Sequence, residues 1–534
     1  MKTELISFIK QFEAVVQPLS KESALAYWNA SLSGKDEDWQ KSEDLNIELT
    51  RVFSDKDDFA LLRRIKESGT ITDELLSRQL LLLYNAYLGN QVDTELLNTV
   101  ITMQTVIEKK YSNFRANVNG KKLTDNEIEE FLKSSRNSSD LKAAWQGHKA
   151  IGPEVAADII NLVKKRNEIA TQLGFGNYHE MSLMLSEQNP DDISRVFDEL
   201  DVLTRDSFAA LKTEIDTYLA ERNHIAAAEL MPWHYQNRFF QEAPAIYSVD
   251  LDKYYVSKNI ENLTTDYFMS LGLDIKDMLA KSDLYEKPGK NQHAYCIDID
   301  NEGDVRVLCN LKPNASWMGT MLHEFGHAVY DKFINRNLPY VLRNPAHTFT
   351  TEAIAMFFGR MSSNAGFLLD MKLTDKADAL KVADESFKVL RLEQLTFSRW
   401  AQVMYRFEKA LYTHPEQDLN TLWWDLVEQY QMLKRPEGRN EPDWASKIHI
   451  ATSPCYYHNY LLGELLASQF NNYIASNILK NSTMSASYFG SKIVGSYFVE
   501  NVFEPGARHN WNEMIEKATG EKLTARYYAE QFVG

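Results

Sequence analysis

Apolar residues recur at three- and four-residue intervals along most of this chain, which is the spacing that places them on one face of a helix. A clear example is the series Leu76, Leu80, Leu83, Tyr84, Tyr87 and Leu88. Glycine and proline, at 22 and 14 of 534 residues, are both scarce, so few breaks interrupt this pattern. The pattern predicts a mainly α protein.

One section departs from the helical spacing. Residues 292–300 alternate between apolar and polar side chains, residues 301–304 read as a turn, and residues 305–310 are rich in branched side chains. The section predicts a small β-hairpin. An extended peptide could pair with the edge of such a hairpin as an added strand, and an ordinary structural hairpin is the alternative.

The chain shows no boundary between domains. Its hydrophobic content of 44% can build a large core, and no linker rich in proline, glycine or serine divides it. We therefore expect a single unit over residues 1–534, with helical lobes at approximately 1–260 and 261–534.

Charge and hydropathy exclude several kinds of partner. A net charge of −17 and a pI near 5.3, without a concentrated basic face, argue against nucleic acid. No apolar run is long enough to span a membrane, and the segment after Met1 is a poor signal peptide. We expect a cytoplasmic protein if Met1 is the natural start, and an exported one if a leader has been removed. Three cysteines make no disulfide framework.

The segment His323-Glu324-Phe325-Gly326-His327 carries the strongest chemical signal. In a helix, the imidazoles of His323 and His327 project from one face and can hold one metal ion, with the carboxylate of Glu324 beside them. The H-E-x-x-H pattern is typical of zinc enzymes in which the glutamate acts as a base.

The third ligand decides the class of zinc site. The six residues after His327 contain no histidine, which excludes the short metzincin spacing. Glu352 is an isolated acid within the mostly apolar segment 350–358, and a carboxylate in such a segment needs a partner such as Zn²⁺. His347 is the alternative ligand. Two histidines and one glutamate leave a fourth position for water, as a catalytic site requires.

This arrangement predicts peptide-bond hydrolysis with one Zn²⁺. The metal would lower the pKa of water and polarise the carbonyl, while Glu324 would take the proton and deliver it to the leaving amine. No G-x-S-x-G motif or recognised cysteine nucleophile suggests a covalent intermediate.

Further motifs are spread over most of the chain. They are Trp28, residues 166–170, residues 173–178, His293-Ala294, Lys447-Ile448-His449, residues 453–460 and residues 465–470. Together with the position of Glu352, they resemble the angiotensin-converting-enzyme family of peptidyl-dipeptidases, with affinity to the thimet oligopeptidase and neurolysin family. The resemblance implies a helical gluzincin peptidase with a deep central channel between two lobes and a small hairpin beside the zinc helix.

The resemblance also implies roles for single residues. His293 and His449 would hydrogen-bond the substrate backbone, and Ala294 would pair with it through main-chain groups. Tyr460 would donate a hydrogen bond to the oxyanion of the tetrahedral intermediate, a role that suits a neutral phenol.

Substrate length would be set at the terminal carboxylate. The resemblance implies that Lys447 and Tyr457, with Gln241, grip this carboxylate, so that a dipeptide is released. Tyr456 is the alternative to Tyr457, because the tyrosines lie one residue further from His449 than in the family, although the three-residue spacing to Tyr460 favours Tyr457.

Two positions depart from the family pattern. Asn459 replaces an arginine linked to chloride, which argues against chloride activation. Met356 stands where the family often places an acid that orients a zinc histidine, and Asp331 is a candidate to replace that acid.

We therefore expect a zinc metallopeptidase that acts on short peptides as a peptidyl-dipeptidase. An oligopeptidase that cleaves internal bonds is the main alternative, followed by a carboxypeptidase that removes single residues. A helical peptide-binding protein with an inactive metal site is the alternative outside enzymes. The oligomeric state is not predicted.

Overall fold

The computed structural model describes residues 1–480 and 486–533, and most of these residues are helical. The α-helices, numbered α1 to α22 in chain order, are Lys2–Ser33, Asp36–Phe53, Lys56–Ser68, Glu74–Gly89, Thr94–Asn113, Asp125–Ser134, Ser138–Lys149, Ile151–Gln172, Tyr178–Leu185, Pro190–Asn223, Ile260–Ser270, Lys276–Lys281, Ala315–Phe333, Thr348–Gly359, Ala365–Asp370, Lys376–Thr413, Leu419–Leu426, His449–Thr452, His458–Tyr473, Lys492–Phe498, Trp511–Thr519 and Arg526–Phe532. The predicted mainly α fold is confirmed.

The strands of the described residues form two small antiparallel sheets. Strands β1 (Ala116–Val118) and β2 (Lys121–Leu123) form one, and β3 (Tyr295–Asp298) and β4 (Val305–Leu308) form the other. In the second sheet Tyr295 is opposite Leu308 and Asp298 is opposite Val305. The predicted hairpin is therefore present, with strands shorter than the sequence pattern suggested.

The chain folds into two compact units. Unit 1 contains Met1–Gln91, Val249–Ser386 and the described part of Leu462–Tyr527, and unit 2 contains Val92–Ser248, Phe387–Leu461 and the described residues from Tyr528 onward. The predicted lobes at 1–260 and 261–534 divide the chain elsewhere, because each unit is assembled from three separated stretches. The predicted single catalytic unit and its deep channel stay predictions.

The helical pattern has a simple physical origin in unit 1. Phe8, Phe12 and Val16 recur every four residues on α1 and are buried against Leu83 and Tyr87 of α4 in one apolar cluster. Helix α4 begins after Asp73, whose carboxylate accepts a hydrogen bond from the backbone of the first turn. The spacing of apolar residues therefore specified both the helices and their contact face.

A second cluster covers the hairpin on the side of α1. Trp28 packs there with Ile299 and Leu308, and Tyr295 and Ile297 lie against the same cluster. Among the described residues, no helix is long and apolar enough to cross a lipid bilayer.

Candidate metal centre and active site

Helices α13 and α14 bring the three predicted metal ligands together in unit 1. The Nε2 atoms of His323 and His327 lie 3.7 Å and 3.8 Å from Oε2 of Glu352. The three ligand atoms all lie within 4.8 Å of one another, and they form the metal-binding group found among the described residues. Two histidines one helical turn apart on α13 and one acid on α14 thus converge on one point.

Two glycines allow the helices to approach this closely. A Cβ atom at Gly326 of α13 would lie 2.8 Å from Cα of Ala355 on α14, closer than a real methyl group can come. A Cβ atom at Gly463 of α19 would lie 3.3 Å from Cβ of Glu352. Both α13 and α19 therefore pack closely against the helix that carries Glu352.

The donor set fits zinc. Zinc binds imidazole nitrogen and carboxylate oxygen at about 2.0–2.2 Å, so tetrahedral ligands lie roughly 3.4 Å apart, slightly closer than the separations found here. Burial lowers the pKa of His323 to about 4 and that of His327 to about 3, which keeps both imidazoles neutral and able to bind a metal. Burial, together with the charge of Glu464, raises the pKa of Glu352 to about 7. A bound divalent cation would stabilise the ionised form of Glu352 and so offset the cost of burying its charge.

The imidazole of His327 is oriented by the residue before the third ligand. Its Nδ1 atom lies 2.7 Å from Oγ1 of Thr351, which leaves Nε2 directed at the ligand group. The suggestion that Asp331 fills this role is wrong. The Asp331 carboxylate faces Sγ of Cys296 at 4.0 Å, because four residues beyond His327 the helix presents it to strand β3.

A charged pair lies next to the metal ligands. Arg360, directly after α14, forms an ion pair and a hydrogen bond with Glu464, which follows Gly463 on α19. The charge of Glu464 acts on both His323 and Glu352. An acid near the ligands is therefore present, but it comes from α19 and not from position 356.

His347, the alternative third ligand, has another role. It precedes α14, and its Nδ1 atom accepts a hydrogen bond of 3.1 Å from the backbone N–H of Phe349. Because this ring nitrogen caps the helix that carries Glu352, His347 is excluded from the metal-binding group.

Glu324 lies beside the ligands and is buried. Burial, with a contribution from the charge of Glu352, raises the pKa of Glu324 to about 8, and the backbone N–H of Cys296 donates a hydrogen bond to its carboxyl group. A carboxylate with a raised pKa can accept a proton and release it again near neutral pH. The geometry thus suits a general base.

Strand β3 pairs with β4 along one edge, and its other edge lies next to Glu324. The backbone N–H of Ile299 bonds to the carbonyl of Asp304 at 2.9 Å, so in the alternating antiparallel pattern Ile297 and Tyr295 point their main-chain groups at β4. The main-chain groups of Cys296 and Ala294 consequently point away from β4. The exposed side chain of His293 precedes Ala294 in the same unit.

In unit 2, Lys447 is the centre of a group of residues that we call the lysine cluster: Lys447, Gln241, Phe239, Trp400 and Tyr457. The ammonium of Lys447 donates to Oε1 of Gln241 at 2.5 Å and lies 5.2–5.3 Å from the ring centroids of Phe239, Trp400 and Tyr457. The indole of Trp400 donates to the phenol oxygen of Tyr457 at 2.9 Å. Lys447, Gln241 and Tyr457 therefore meet, as the resemblance implied.

Burial dominates the electrostatics of the lysine cluster. Lys447 is only 6% exposed, and no ion pair joins it to a carboxylate within residues 1–480 and 486–533. Burial, followed by the charge of Arg238, lowers the pKa of Lys447 to about 7. The charges of Glu129 and Glu242 act in the opposite direction on this pKa, but neither carboxylate forms an ion pair with Lys447 among the described residues.

The remaining predicted residues also lie in unit 2. The ring of His449 is 5.4 Å from the ring of Tyr457, and its buried Nδ1 has no hydrogen-bond partner among the described residues. Burial lowers the pKa of His449 to about 4. The ring of Tyr460 contacts both Tyr456 and Tyr457, at 5.4 Å and 5.5 Å. The ammonium of Lys447 faces the ring of Tyr457.

Asn459 belongs to a buried hydrogen-bond network at the start of α19. The amide of Gln188 donates to Oδ1 of Asn459 at 2.7 Å, and Oε1 of Gln188 lies 2.7 Å from Nε2 of His458. An amide network therefore stands where the family pattern has an arginine.

The sequence pattern missed Thr351, Glu464, Arg360, Phe239 and Trp400. Thr351 could have been found, since it adjoins a ligand and carries a hydroxyl that can orient an imidazole. Arg360 lies directly after α14, and Glu464, Phe239 and Trp400 come from distant parts of the chain; no local spacing marks any of the four.

Comparison with known proteins agrees with the metal-binding group found in the structure. A family model described as angiotensin-converting enzyme matches residues 1–532. Similar proteins with that name occur in Haematobia irritans exigua, at 23% identity over 76% of this chain and 72% of the relative, and in Rattus norvegicus, at 23% identity over 76% of this chain and 33% of the relative.

A third relative of the same name, from Bos taurus, is 22% identical over 95% of this chain and 40% of the relative. The chain thus spans less than half the length of the rat and bovine proteins. Because the family model covers nearly every residue, the prediction of a gluzincin zinc metallopeptidase is confirmed, and the chain belongs to the angiotensin-converting enzyme family of peptidases.

Proposed function

We propose that the protein releases dipeptides from the C-termini of short peptides, with one Zn²⁺ held by His323, His327 and Glu352. The observation that carries this proposal is the lysine cluster. A buried lysine without a carboxylate partner is unfavourable unless a ligand supplies the missing charge, and the C-terminal carboxylate of a peptide does so.

Zinc in this site supplies Lewis-acid chemistry, by lowering the pKa of water and polarising the scissile carbonyl. Glu324 removes the proton from the attacking water, because its carboxyl group lies beside the ligands. The same group then transfers the proton to the leaving amine. The N–H of Cys296 holds this carboxyl group in place.

Other residues bind and orient the peptide. The edge of β3 that faces away from β4 offers the main-chain groups of Ala294 to an extended substrate, and His293 and His449 donate hydrogen bonds to its backbone. Tyr460 donates to the oxyanion as negative charge develops.

The lysine cluster determines where the peptide is cut. Lys447, Gln241 and Tyr457 bind the terminal carboxylate by charge and hydrogen bonds, and a fixed anchor places the scissile bond at a constant distance from the chain end. Release of two residues is the expected outcome.

The test compares an N-blocked pentapeptide with its C-terminally amidated twin. The products are identified by mass, and metal analysis should find one zinc per chain. We expect a dipeptide from the free acid and much slower cleavage of the amide, because the amide cannot pair with Lys447. Equal cleavage of both peptides would favour an oligopeptidase that cuts internal bonds, and release of one residue would favour a carboxypeptidase.

A matched control excludes contaminating peptidases. Glu324→Gln keeps the size of the side chain and should bind zinc and peptide without cleaving it. If this variant bound peptide and the wild-type protein cleaved neither pentapeptide, the protein would be a peptide-binding protein with an inactive metal site.

A further inference from the structure

Three aromatic rings lie together at strand β3, outside the residues assigned so far. The ring of Tyr27 on α1 is 5.8 Å from the ring of Trp39 on α2 and 5.5 Å from the ring of Tyr295 on β3. Tyr27 is 37% exposed and Trp39 is 39% exposed. We call these three residues the aromatic wall. Large rings that lie side by side and are each more than a third exposed are typical of a surface that binds another molecule.

The aromatic wall and helix α13 lie on opposite faces of the same strand. Successive side chains of a strand point to opposite faces, and here Cys296 points to Asp331 of α13, whereas Tyr295 and Ile297 pack against the cluster of Trp28 on α1. The hairpin is therefore layered between α1 and the zinc helix α13. The edge that faces away from β4 offers the main-chain groups of Ala294, just before β3, and the carbonyl of Cys296, because the N–H of Cys296 bonds to Glu324.

A peptide that adds to this edge as a strand places its successive side chains on alternate faces of the sheet. Residues directly opposite each other across a sheet share a face, so the substrate residue opposite Tyr295 directs its side chain to the side of α1. On that side it meets Tyr27 and Trp39. The substrate residues before and after it direct their side chains to the side of α13.

We propose that Tyr27, Trp39 and Tyr295 form a subsite for an aromatic side chain of the substrate, on the N-terminal side of the scissile bond. The inference rests on the proposed function, in which only two residues follow that bond and their carboxylate is bound by Lys447. The edge of β3 that faces away from β4 then binds the substrate residues that precede the scissile bond.

The chemistry of the wall favours an aromatic group. The ring of Trp39 stands at 77° to that of Tyr27, and a further ring can add to such an arrangement edge to face. The neighbouring charges in the first turn of α2 are the acids Asp36, Glu37 and Asp38, which would repel a carboxylate side chain. Binding an aromatic side chain also covers apolar surface that is otherwise in water.

The experiment uses N-blocked alanine peptides with a free C-terminus, in which one phenylalanine is moved through the three positions before the scissile bond. We expect kcat/KM to rise about tenfold at one of these positions relative to the all-alanine peptide. In the double variant Tyr27→Ala/Trp39→Ala this preference should fall below about twofold, while kcat/KM for the all-alanine peptide stays within about twofold of the wild-type value.

A matched control and a second readout separate the subsite from structural damage. Tyr285→Ala removes a 53% exposed ring of the same unit, two residues after Asp283, which forms a bridge with Leu308 of β4, and it should leave the preference intact. Trp39→Phe should restore much of the preference. In a Glu324→Gln background, calorimetry should show that the favoured phenylalanine peptide binds about tenfold more tightly than the all-alanine peptide.

The outcomes distinguish the two proposals. Absence of cleavage of every peptide would refute the proposed function. Cleavage without a preference, a preference confined to the last two residues, or a preference that survives in the double variant would refute the subsite and leave the proposed function standing.

Discussion

The metal centre of unit 1 is partly buried and Lys447 of unit 2 is buried, and burial moves the pKa values of their charged groups in opposite directions. At the metal centre it raises the pKa of Glu352 to about 7, and in the lysine cluster it lowers the pKa of Lys447 to about 7. Each group is thus half-charged near neutral pH and needs a ligand of opposite charge. A cation completes the first region, and an anion completes the second.

The difference between the regions lies in how the ligand is held. At the metal centre, three side chains on two helices converge at short distances, and glycine contacts fix the helices. In the lysine cluster, one flexible ammonium is surrounded by three rings and one amide. We infer that the first region determines whether the reaction occurs and the second determines which peptides undergo it.

The largest expected effect concerns Glu324 beside the metal centre. Replacing Glu324 with Gln removes the proton acceptor, so kcat should fall about a thousandfold. Zinc content, measured by metal analysis after dialysis, should stay at the wild-type level because Glu324 is not a ligand. Wild-type turnover by the purified variant would disprove the role of this residue.

The next effect tests the lysine cluster. Lys447→Met keeps the apolar stem and removes the charge, so kcat/KM for a peptide with a free C-terminus should fall roughly a hundredfold, as expected for a lost charged hydrogen bond. The fall should arise mainly from a higher KM, and kcat/KM for the amidated peptide should change about twofold or less. Similar losses for acid and amide would show that Lys447 does not bind the carboxylate.

A pH series sharpens the contrast between the two regions. Lys447 is protonated below its pKa of about 7, so the inhibition constant of an N-acetylated dipeptide should increase about tenfold per pH unit above 7. In Lys447→Arg the guanidinium stays charged, and this increase should disappear. An increase of the same size in both proteins would assign the titration to the metal centre.

The smallest effect concerns the support of a metal ligand. Thr351→Val removes the hydroxyl beside Nδ1 of His327 while keeping the shape, so zinc affinity should fall about tenfold. Competition with a chromogenic chelator measures the affinity directly. Thr350→Val is the matched control from the same helix, and it should leave zinc affinity unchanged because the Thr350 hydroxyl bonds to the carbonyl of His347. Equal affinities of Thr351→Val and the wild-type protein would remove Thr351 from the site.

The sequence predicted the features that depend on local spacing. The four-residue interval between His323 and His327, the isolated acid Glu352 in an apolar segment, and the alternating hairpin are all visible in short windows, and the structure contains each of them. Helices were predictable for the same reason, since their apolar face recurs at a fixed period.

The features that the sequence did not predict depend on contacts between distant residues. Asp331 was a reasonable candidate for orienting a zinc histidine from its position one turn after His327, but the helix directs it to Cys296. Glu464 reaches the metal ligands from a helix more than 100 residues later in the chain. The division into units was not visible either, because no linker marks the places where the chain passes from one unit to the other.

The contact at Gly326 has a consequence for attempts to redesign this protein. Since the backbone of Ala355 occupies the space that even a methyl group would need, the distance between the two ligand-bearing helices cannot shrink. Exchange of zinc for a larger ion such as calcium would require the helices to move apart. Engineering of a different metal preference would therefore begin at this glycine and its neighbours, before any of the three coordinating side chains is altered.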